Sequence, residues 1–425
     1  MGVIMNVIIK NNKLKGNIIV PPSKSLSHRA IIAACLAKGV SHITNILYSE
    51  DIIATLDAME ACGAKIIRNE DSLIIEGCKV DRISDVIDAH ESGSTIRFMI
   101  PIALVCDKPI TFIGRNHLVK RPLDVYTKMF DLQGISYEQG ENHLPLKVNG
   151  GIKSGLYEVP GNISSQFITG LLFALPLLDG DSKIVLTSKL ESKGYIDLTL
   201  DVLKKFGIEI EVLEDSYIIK GNQEYKACDY MVEGDYSQSA FWLVANMLGS
   251  EVNLLGMNPD SLQGDKKILE DIEKFGGKIS FTNGVLTCKK EDIIAAEIDF
   301  SQSPDLGPAL SVLASLTKGH SKFVEASRLR IKECDRITCM KDELNKLGAK
   351  VSETPDTMSF EGVSELLGGI ELDSHNDHRI AMALAVAATV CNQEIKIVNA
   401  SCVKKSYPHF FKHFESVGGI VVYED

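Results

Sequence analysis

The chain has 425 residues, 45% hydrophobic and 24% charged, which are the proportions of a folded globular protein and exclude a disordered one. Its 45 basic and 57 acidic residues give a formal charge of −12, which excludes a surface that tracks nucleic acid by charge. No apolar run approaches the ~20 residues of a membrane span, and the length exceeds what one core usually supports, so two domains are expected.

The stretch from Met1 to Asn17 alternates like a strand and lacks the apolar centre of a signal peptide, so a cytoplasmic protein is expected. Asn6 stands where an N-myristoylation pattern requires Ser or Thr. The ten cysteines form no C-x-x-C pair and mostly lie in apolar stretches, as buried thiols of a reducing compartment do.

In chain order, a strand ends at Val20-Pro21-Pro22 and a helix begins near Lys24 with the body AIIAACLA. A strand, SHITNI, follows, and then a second, amphipathic helix, DIIATLDAMEACG, which closes on Gly63. This sequence of elements recurs along the whole chain. The closing glycines are Gly63, Gly134, Gly207, Gly276, Gly348 and Gly418, between 69 and 73 residues apart. Glycine suits a helix C-terminus because it enters the left-handed conformation without a Cβ penalty. The first helices start near Lys24, Gly93, Ser164, Ser237, Asp305 and Asp377, 68 to 73 residues apart. Their bodies, such as FITGLLFALPLL and AMALAVAATV, are apolar on nearly every face, so they are predicted to be buried. The repeat therefore predicts six units of two helices and three or four strands, three units to a domain. The seams are expected at about 21–23 and 233–235, with the first strand joining the last unit.

The predicted buried helices are apolar in the body and polar in the first turn. They open on Ser23-Lys24-Ser25, with Arg29 close behind, on Gly93-Ser94-Thr95 with Arg97, on Ser164-Ser165-Gln166, on Pro304-Asp305, and on Asp377-His378-Arg379. The amphipathic helices are preceded by Arg121, Ser192 with Tyr195, Lys332 to Arg336, and Lys405. Arg121, Tyr195, Arg336 and Lys405 stand 12 or 13 residues before their glycines, so they share one repeat position. Helix N-termini carry free N–H groups and about half a positive charge, which attracts anions and repels cations. Cations gathered at such positions in an acidic protein predict an anionic ligand between them. Asp305 and Glu333 lie in the same series and are candidates for moving protons. His375-x-x-His378 lacks further metal ligands nearby, and no phosphate-binding glycine loop occurs.

The strings PPSKSLSHRA, ESGSTIRFM, VKRPLD, ISSQFITGLL, SKGYIDLTL, EGDYSQSAFWL, RIKECDRI, HNDHRIAMA and KKSYPHFF together resemble the 5-enolpyruvylshikimate-3-phosphate (EPSP) synthase family, in order and over essentially the whole chain. The resemblance implies an α/β fold of two inside-out α/β barrel domains, each of three βαβαββ units. Residues 23–233 would form the domain on the shikimate 3-phosphate side, and 1–22 with 234–425 the other, joined by two crossings. It implies transfer of the enolpyruvyl group of phosphoenolpyruvate (PEP) to the 5-hydroxyl of shikimate 3-phosphate, through a tetrahedral intermediate and with release of phosphate. Shikimate 3-phosphate would be bound by Lys24, Ser25, Arg29, Ser164, Ser165, Gln166, Ser192, Tyr195, Asp305 and Lys332. PEP would be bound by Lys24, Gly93, Arg121, Gln166, Arg336, Arg379 and Lys405. Asp305 would act as base and Glu333 as proton donor, assisted by Lys24. No metal or organic cofactor is implied, nucleic-acid and membrane partners are not expected, and a monomer is. Gly93 implies sensitivity to glyphosate. The chain departs from common family residues at Phe98, Arg328 and Cys334. A related reading, UDP-N-acetylglucosamine 1-carboxyvinyltransferase, would call for a reactive cysteine near Gly114-Arg115-Asn116-His117, where this chain has none. A non-enzymatic six-repeat DNA clamp would spread its cations along helix faces instead.

Overall fold

All six repeat glycines take positive φ, from 67° at Gly134 to 104° at Gly63, and each ends a helix. The computed structural model describes residues 5–81 and 83–424. Among these, twelve α-helices alternate between two kinds. The odd-numbered ones are α1 (Lys24–Leu36), α3 (Gly93–Ala103), α5 (Ser165–Ala174), α7 (Tyr236–Met247), α9 (Gly307–Ser315) and α11 (His378–Ala388). Every residue of α7, α9 and α11 is buried, as their all-round apolar sequences require. The even-numbered ones are α2 (Glu50–Ala61), α4 (Asp124–Gln133), α6 (Lys193–Lys205), α8 (Ile268–Lys274), α10 (Arg336–Lys346) and α12 (Phe410–Ser416), each with one buried stripe. The fourth of these is preceded by a 3₁₀ turn, Gly264–Lys267.

The chain divides into two compact units, Lys24–Val232 and Met1–Ser23 with Glu233–Asp425. Each has its own apolar core. In the first unit α3 packs on α5, and α1 packs on α2 and α6; in the second, α7, α9 and α11 pack on one another. The sheets lie outside these helices, so the fold is an inside-out α/β arrangement.

Each unit carries three four-stranded sheets of one wiring. Val86–Asp88 runs parallel to Ile110–Ile113 across the α3 crossover, and that strand pairs antiparallel with Leu146–Asn149, which pairs with Ser136–Gln139. The same β-α-β-α-β-β path repeats around α5, α9 and α11, with strands borrowed from distant sequence where the chain enters and leaves a unit. Tyr230–Met231 supplies the parallel edge beside Val40–Thr44, and Lys15–Ile19 the one beside Glu251–Leu255. Asn6–Lys10 inserts between Ile395–Val398 and Ile420–Glu424, burying Val7 and Ile9. A bridge between Pro22 and Gly234, with Ser23 N–H donating to Glu233 O at 2.8 Å, holds the two strands at the seam together.

Close packing of α3 on α5 depends on Gly170. A Cβ there would lie 2.7 Å from Tyr126 Oη and nearer still to the Arg97 carbonyl oxygen, so only glycine lets the two helices meet at this distance. That contact sets Arg97 beside Gln166, which leads to the site.

Candidate active site

In the Lys24–Val232 unit the polar first turns of α1, α3 and α5 carry most of the expected residues. Lys24 opens α1, and its Nζ lies 2.7 Å from Asp51 Oδ2 in the first turn of α2. Arg29 is buried one turn further in. Its Nη1 donates to Ser25 O at 2.7 Å, its Nη2 to Tyr195 O at 2.9 Å and its Nε to Thr199 Oγ1 at 2.9 Å. Its guanidinium also lies over the Phe98 ring, 5.4 Å from the centroid. Burial lowers its pKa to about 10, which leaves it cationic at neutral pH. Phe98, a departure from the common family residue, thus serves as the platform for the Arg29 guanidinium.

Arg97 Nη1 donates to Gln166 Oε1 at 2.7 Å, and Gln166 Nε2 to Ser94 Oγ at 2.9 Å, so both ends of the Gln166 amide, on α5, are held by α3. Ser164 caps α5 by accepting from Gln166 N, and Ser165 is its first residue. Ser192 stands at the N-cap position of α6 in a left-handed conformation, φ 53°, which is strained for a residue with a Cβ. Tyr195 is the third residue of that helix. Arg121 is 9% exposed, and its guanidinium lies against Gly93, the first residue of α3.

In the other unit the expected residues converge on Asp305. Its carboxylate meets Arg336 Nη1 at 2.9 Å, Lys332 Nζ at 3.0 Å and Arg379 Nη2 at 3.0 Å. Burial alone would raise its pKa, but Arg379, Lys332 and Arg336 together hold it well below the usual carboxylate range. Arg336 also reaches Glu333 Oε2 at 2.7 Å and, through Nε, Asp377 Oδ2 at 2.7 Å. Burial works against the charge on Arg336, yet these three carboxylates hold its pKa well above the ordinary value. Lys332 moves the other way: burial lowers it to about 8, despite Asp305. Lys405 Nζ donates to Asn376 O at 2.7 Å.

One expectation is corrected by the structure. Arg121 and Lys405 do not sit at helix N-termini. Arg121 caps the C-terminal end of the 3₁₀ helix Asn116–Lys120, and Lys405 ends the 3₁₀ helix Ala400–Lys405; α4 and α12 begin three and five residues later. A C-terminal end favours a cation, so these two positions are locally stabilising. Asp305 lies inside the 3₁₀ turn Pro304–Leu306 with its carboxylate turned to the three cations.

Sequence reasoning missed the counter-ions. Asp51 reads as an ordinary first-turn acid of α2, and nothing in the sequence ties it to Lys24. Asp377 was legible only as a helix start; it caps α11 by accepting from Arg379 N at 2.8 Å and also grips Arg336. Asp265, buried and hydrogen-bonded to Ser237 Oγ, carried no signal; burial and the nearby Asp305 raise its pKa to about 6.

The family model described as EPSP synthase (3-phosphoshikimate 1-carboxyvinyltransferase) matches residues 8–414. The chain belongs to the EPSP synthase family. A 3-phosphoshikimate 1-carboxyvinyltransferase of Clostridium perfringens is 51% identical over 419 residues, covering 98% of this chain and 99% of that one. One from Clostridioides difficile is 49% identical over 422 residues, covering 96% of each. The EPSP synthase structure from Acinetobacter baumannii matches with a TM-score of 0.79 at 26% identity, covering 100% of both chains. Family membership accounts for the two-unit inside-out α/β fold. Among the described residues of this EPSP synthase family member, no helix is long and apolar enough to cross a membrane.

Proposed function

We propose that this chain transfers the enolpyruvyl group of PEP to the 5-hydroxyl of shikimate 3-phosphate and releases phosphate, with its two compact units acting as the domains 23–233 and 1–22 with 234–425. The observation that carries the residue roles is Asp305 held by three cations. The carboxylates of Asp305, Glu333 and Asp377 pair with Arg336, and that of Asp305 also pairs with Lys332 and Arg379. A phosphate or carboxylate of substrate competes for the same donors, since charge-assisted bonds to arginine suit both. As the cations turn to substrate, Asp305 loses the partners that depress its pKa and becomes a stronger base for the 5-hydroxyl. Glu333, released from the other arm of Arg336, is placed to deliver a proton to the PEP methylene, with Lys24 assisting.

In this reading shikimate 3-phosphate is bound by Lys24, Ser25, Arg29, Ser164, Ser165, Gln166, Ser192, Tyr195, Asp305 and Lys332. PEP is bound by Lys24, Gly93, Arg121, Gln166, Arg336, Arg379 and Lys405. All these groups come from one chain, so a monomer suffices, and size-exclusion chromatography with light scattering tests that. The burial of Cys35, Cys62, Cys288, Cys391 and Cys402 in apolar cores supports the reducing cytoplasm as its compartment. The deciding experiment measures phosphate release from PEP with shikimate 3-phosphate and, separately, with UDP-N-acetylglucosamine. Turnover is expected only with the first acceptor; folded protein that is inactive with it refutes the proposal.

A further inference from the structure

The turn that leads into α11 is strained. His375 and Asn376 both take left-handed backbone, with φ of 51° and 54°, although each carries a Cβ. Two such residues in succession persist only where their surroundings over-determine the chain. The turn is pinned locally: His375 N–H donates to Asp373 Oδ1 at 2.8 Å, Asp377 N–H to Ser374 O at 2.9 Å, and Ser374 Oγ to Asn399 O at 3.1 Å.

A further hold comes from α10. Glu343 is buried there, its side chain 1% exposed, and none of the roles above uses it. Its Oε2 accepts from Asp373 N at 3.1 Å and from Lys346 Nζ at 2.8 Å, and its Oε1 lies 2.8 Å from His375 Nε2. Burial alone would raise the Glu343 pKa, but the bonds from His375, Lys346 and the Asp373 N–H hold it below the ordinary value. An ionised carboxylate only accepts, so His375 Nε2 carries a proton and donates it. Two turns earlier on the same face of α10, Arg336 Nε donates to Asp377 Oδ2 at 2.7 Å. One helix therefore grips the turn on both sides of its left-handed pair.

All three cations assigned to PEP in this unit meet the same turn. Lys405 Nζ donates to Asn376 O at 2.7 Å, Arg336 pairs with Asp377, and Arg379 N donates to Asp377 Oδ1 at 2.8 Å. The direction of the Asn376 carbonyl is set by the left-handed backbone, so relaxing either residue swings that carbonyl off Lys405 and shifts Asp377 under Arg336. The shikimate 3-phosphate residues of this unit lie on other segments, Asp305 in Pro304–Leu306 and Lys332 at the end of Ser327–Ile331.

We propose that His375, clasped by Glu343, is a positioning residue for PEP: it holds the left-handed turn that sets Lys405, Arg336 and Arg379 for the anionic groups of that substrate. It acts through the turn, not on PEP itself. The PEP role rests on the function proposed above; the clasp does not.

The test compares full-length wild type with His375→Ala and His375→Gln. Alanine keeps the Cβ, and with it the backbone strain, while deleting the clasp. Glutamine places an amide nitrogen close to the position of Nε2 and restores a donor to Glu343. Steady-state phosphate release is measured with each substrate varied in turn. In His375→Ala the KM for PEP rises at least about tenfold while that for shikimate 3-phosphate stays within about twofold, because only the PEP-competent arrangement loses population. In His375→Gln the KM for PEP returns to within about threefold of wild type. Hydrogen exchange, read without substrate by mass spectrometry, is at least about tenfold faster across residues 373–379 in His375→Ala and close to wild type in His375→Gln. Wild type that does not turn over overturns the proposed function and the PEP role with it, and exchange then still decides the clasp. With active wild type, an unmoved KM for PEP in His375→Ala, or an equal rise in both KM values, overturns the positioning role. Glutamine as damaging as alanine, or exchange unchanged in His375→Ala, overturns the clasp.

Discussion

Replacing Gly93 with alanine sets a methyl group against the Arg121 guanidinium. The new Cβ would stand 2.7 Å from Arg121 Cζ and 3.1 Å from Nη2, with Nη1 nearer still. Ordinary contact between such atoms begins near 3.5 Å, so the guanidinium must retreat by about 1 Å. The tip of an arginine moves at little cost, and alanine is the better helix former by about 1 kcal/mol in a helix interior, so stability should hold within roughly that amount. Binding should not hold. A charge-assisted hydrogen bond contributes about 1.5–3 kcal/mol, so misplacing Arg121 should raise KM for PEP about 10- to 100-fold while KM for shikimate 3-phosphate stays nearly constant. Steady-state phosphate release gives both constants, and thermal melting reports stability. A double-mutant cycle with Arg121→Ala separates the causes, because the two changes should be strongly non-additive if Gly93 acts through Arg121. An unchanged KM for PEP in Gly93→Ala, or full additivity with Arg121→Ala, would refute the reasoning.

The same crowding bears on glyphosate: wild type should be inhibited, and Gly93→Ala should raise the inhibition constant; equal constants would count against the assignment of Gly93. Asp377→Asn takes from Arg336, 1% exposed, the fully buried one of its three carboxylate partners, and should cost up to about 3–5 kcal/mol, a Tm drop of up to roughly 10 °C by calorimetry. Lys332 supplies the pH dependence. Its folded pKa, about 8, lies below the ordinary 10.5, so between these values the unfolded chain holds the extra proton and this group makes stability rise with pH. Activity goes the opposite way: kcat/KM for shikimate 3-phosphate should fall as pH rises through about 8 and the ammonium is lost, a limb absent in Lys332→Gln. Asp305→Asn keeps the shape but removes the base, and should lower kcat about 10²- to 10⁴-fold in single-turnover assays.

Much of this molecule is readable from local pattern. The buried helices announce themselves by apolar residues on every face, as in AMALAVAATV, and the amphipathic ones by a single stripe ending at glycine. The first-turn polar residues, from Lys24 to Arg379, are likewise visible because they interrupt apolar runs at a fixed period. The borrowed strands are harder to read. Tyr230–Met231 is two residues long, and nothing in it says that it pairs with Val40–Thr44. The helix assignment failed at Arg121 and Lys405 because a 3₁₀ turn and an α-helical first turn draw on similar short polar sequences.

The amino-acid sequence determined the period, the two kinds of helix, the six glycine stops and the set of cations and carboxylates available for chemistry, since each depends on residues within a few turns of one another. Only the tertiary structure decided which charge answers which. Lys24 meets Asp51 from 27 residues away, and Arg336 meets Asp377 from 41. Such pairs have no shared period, because ion pairing falls off over a few ångströms and those distances are set by how buried helices pack. The packing decides how far the Asp305 carboxylate is held from its proton, and therefore how it works as a base.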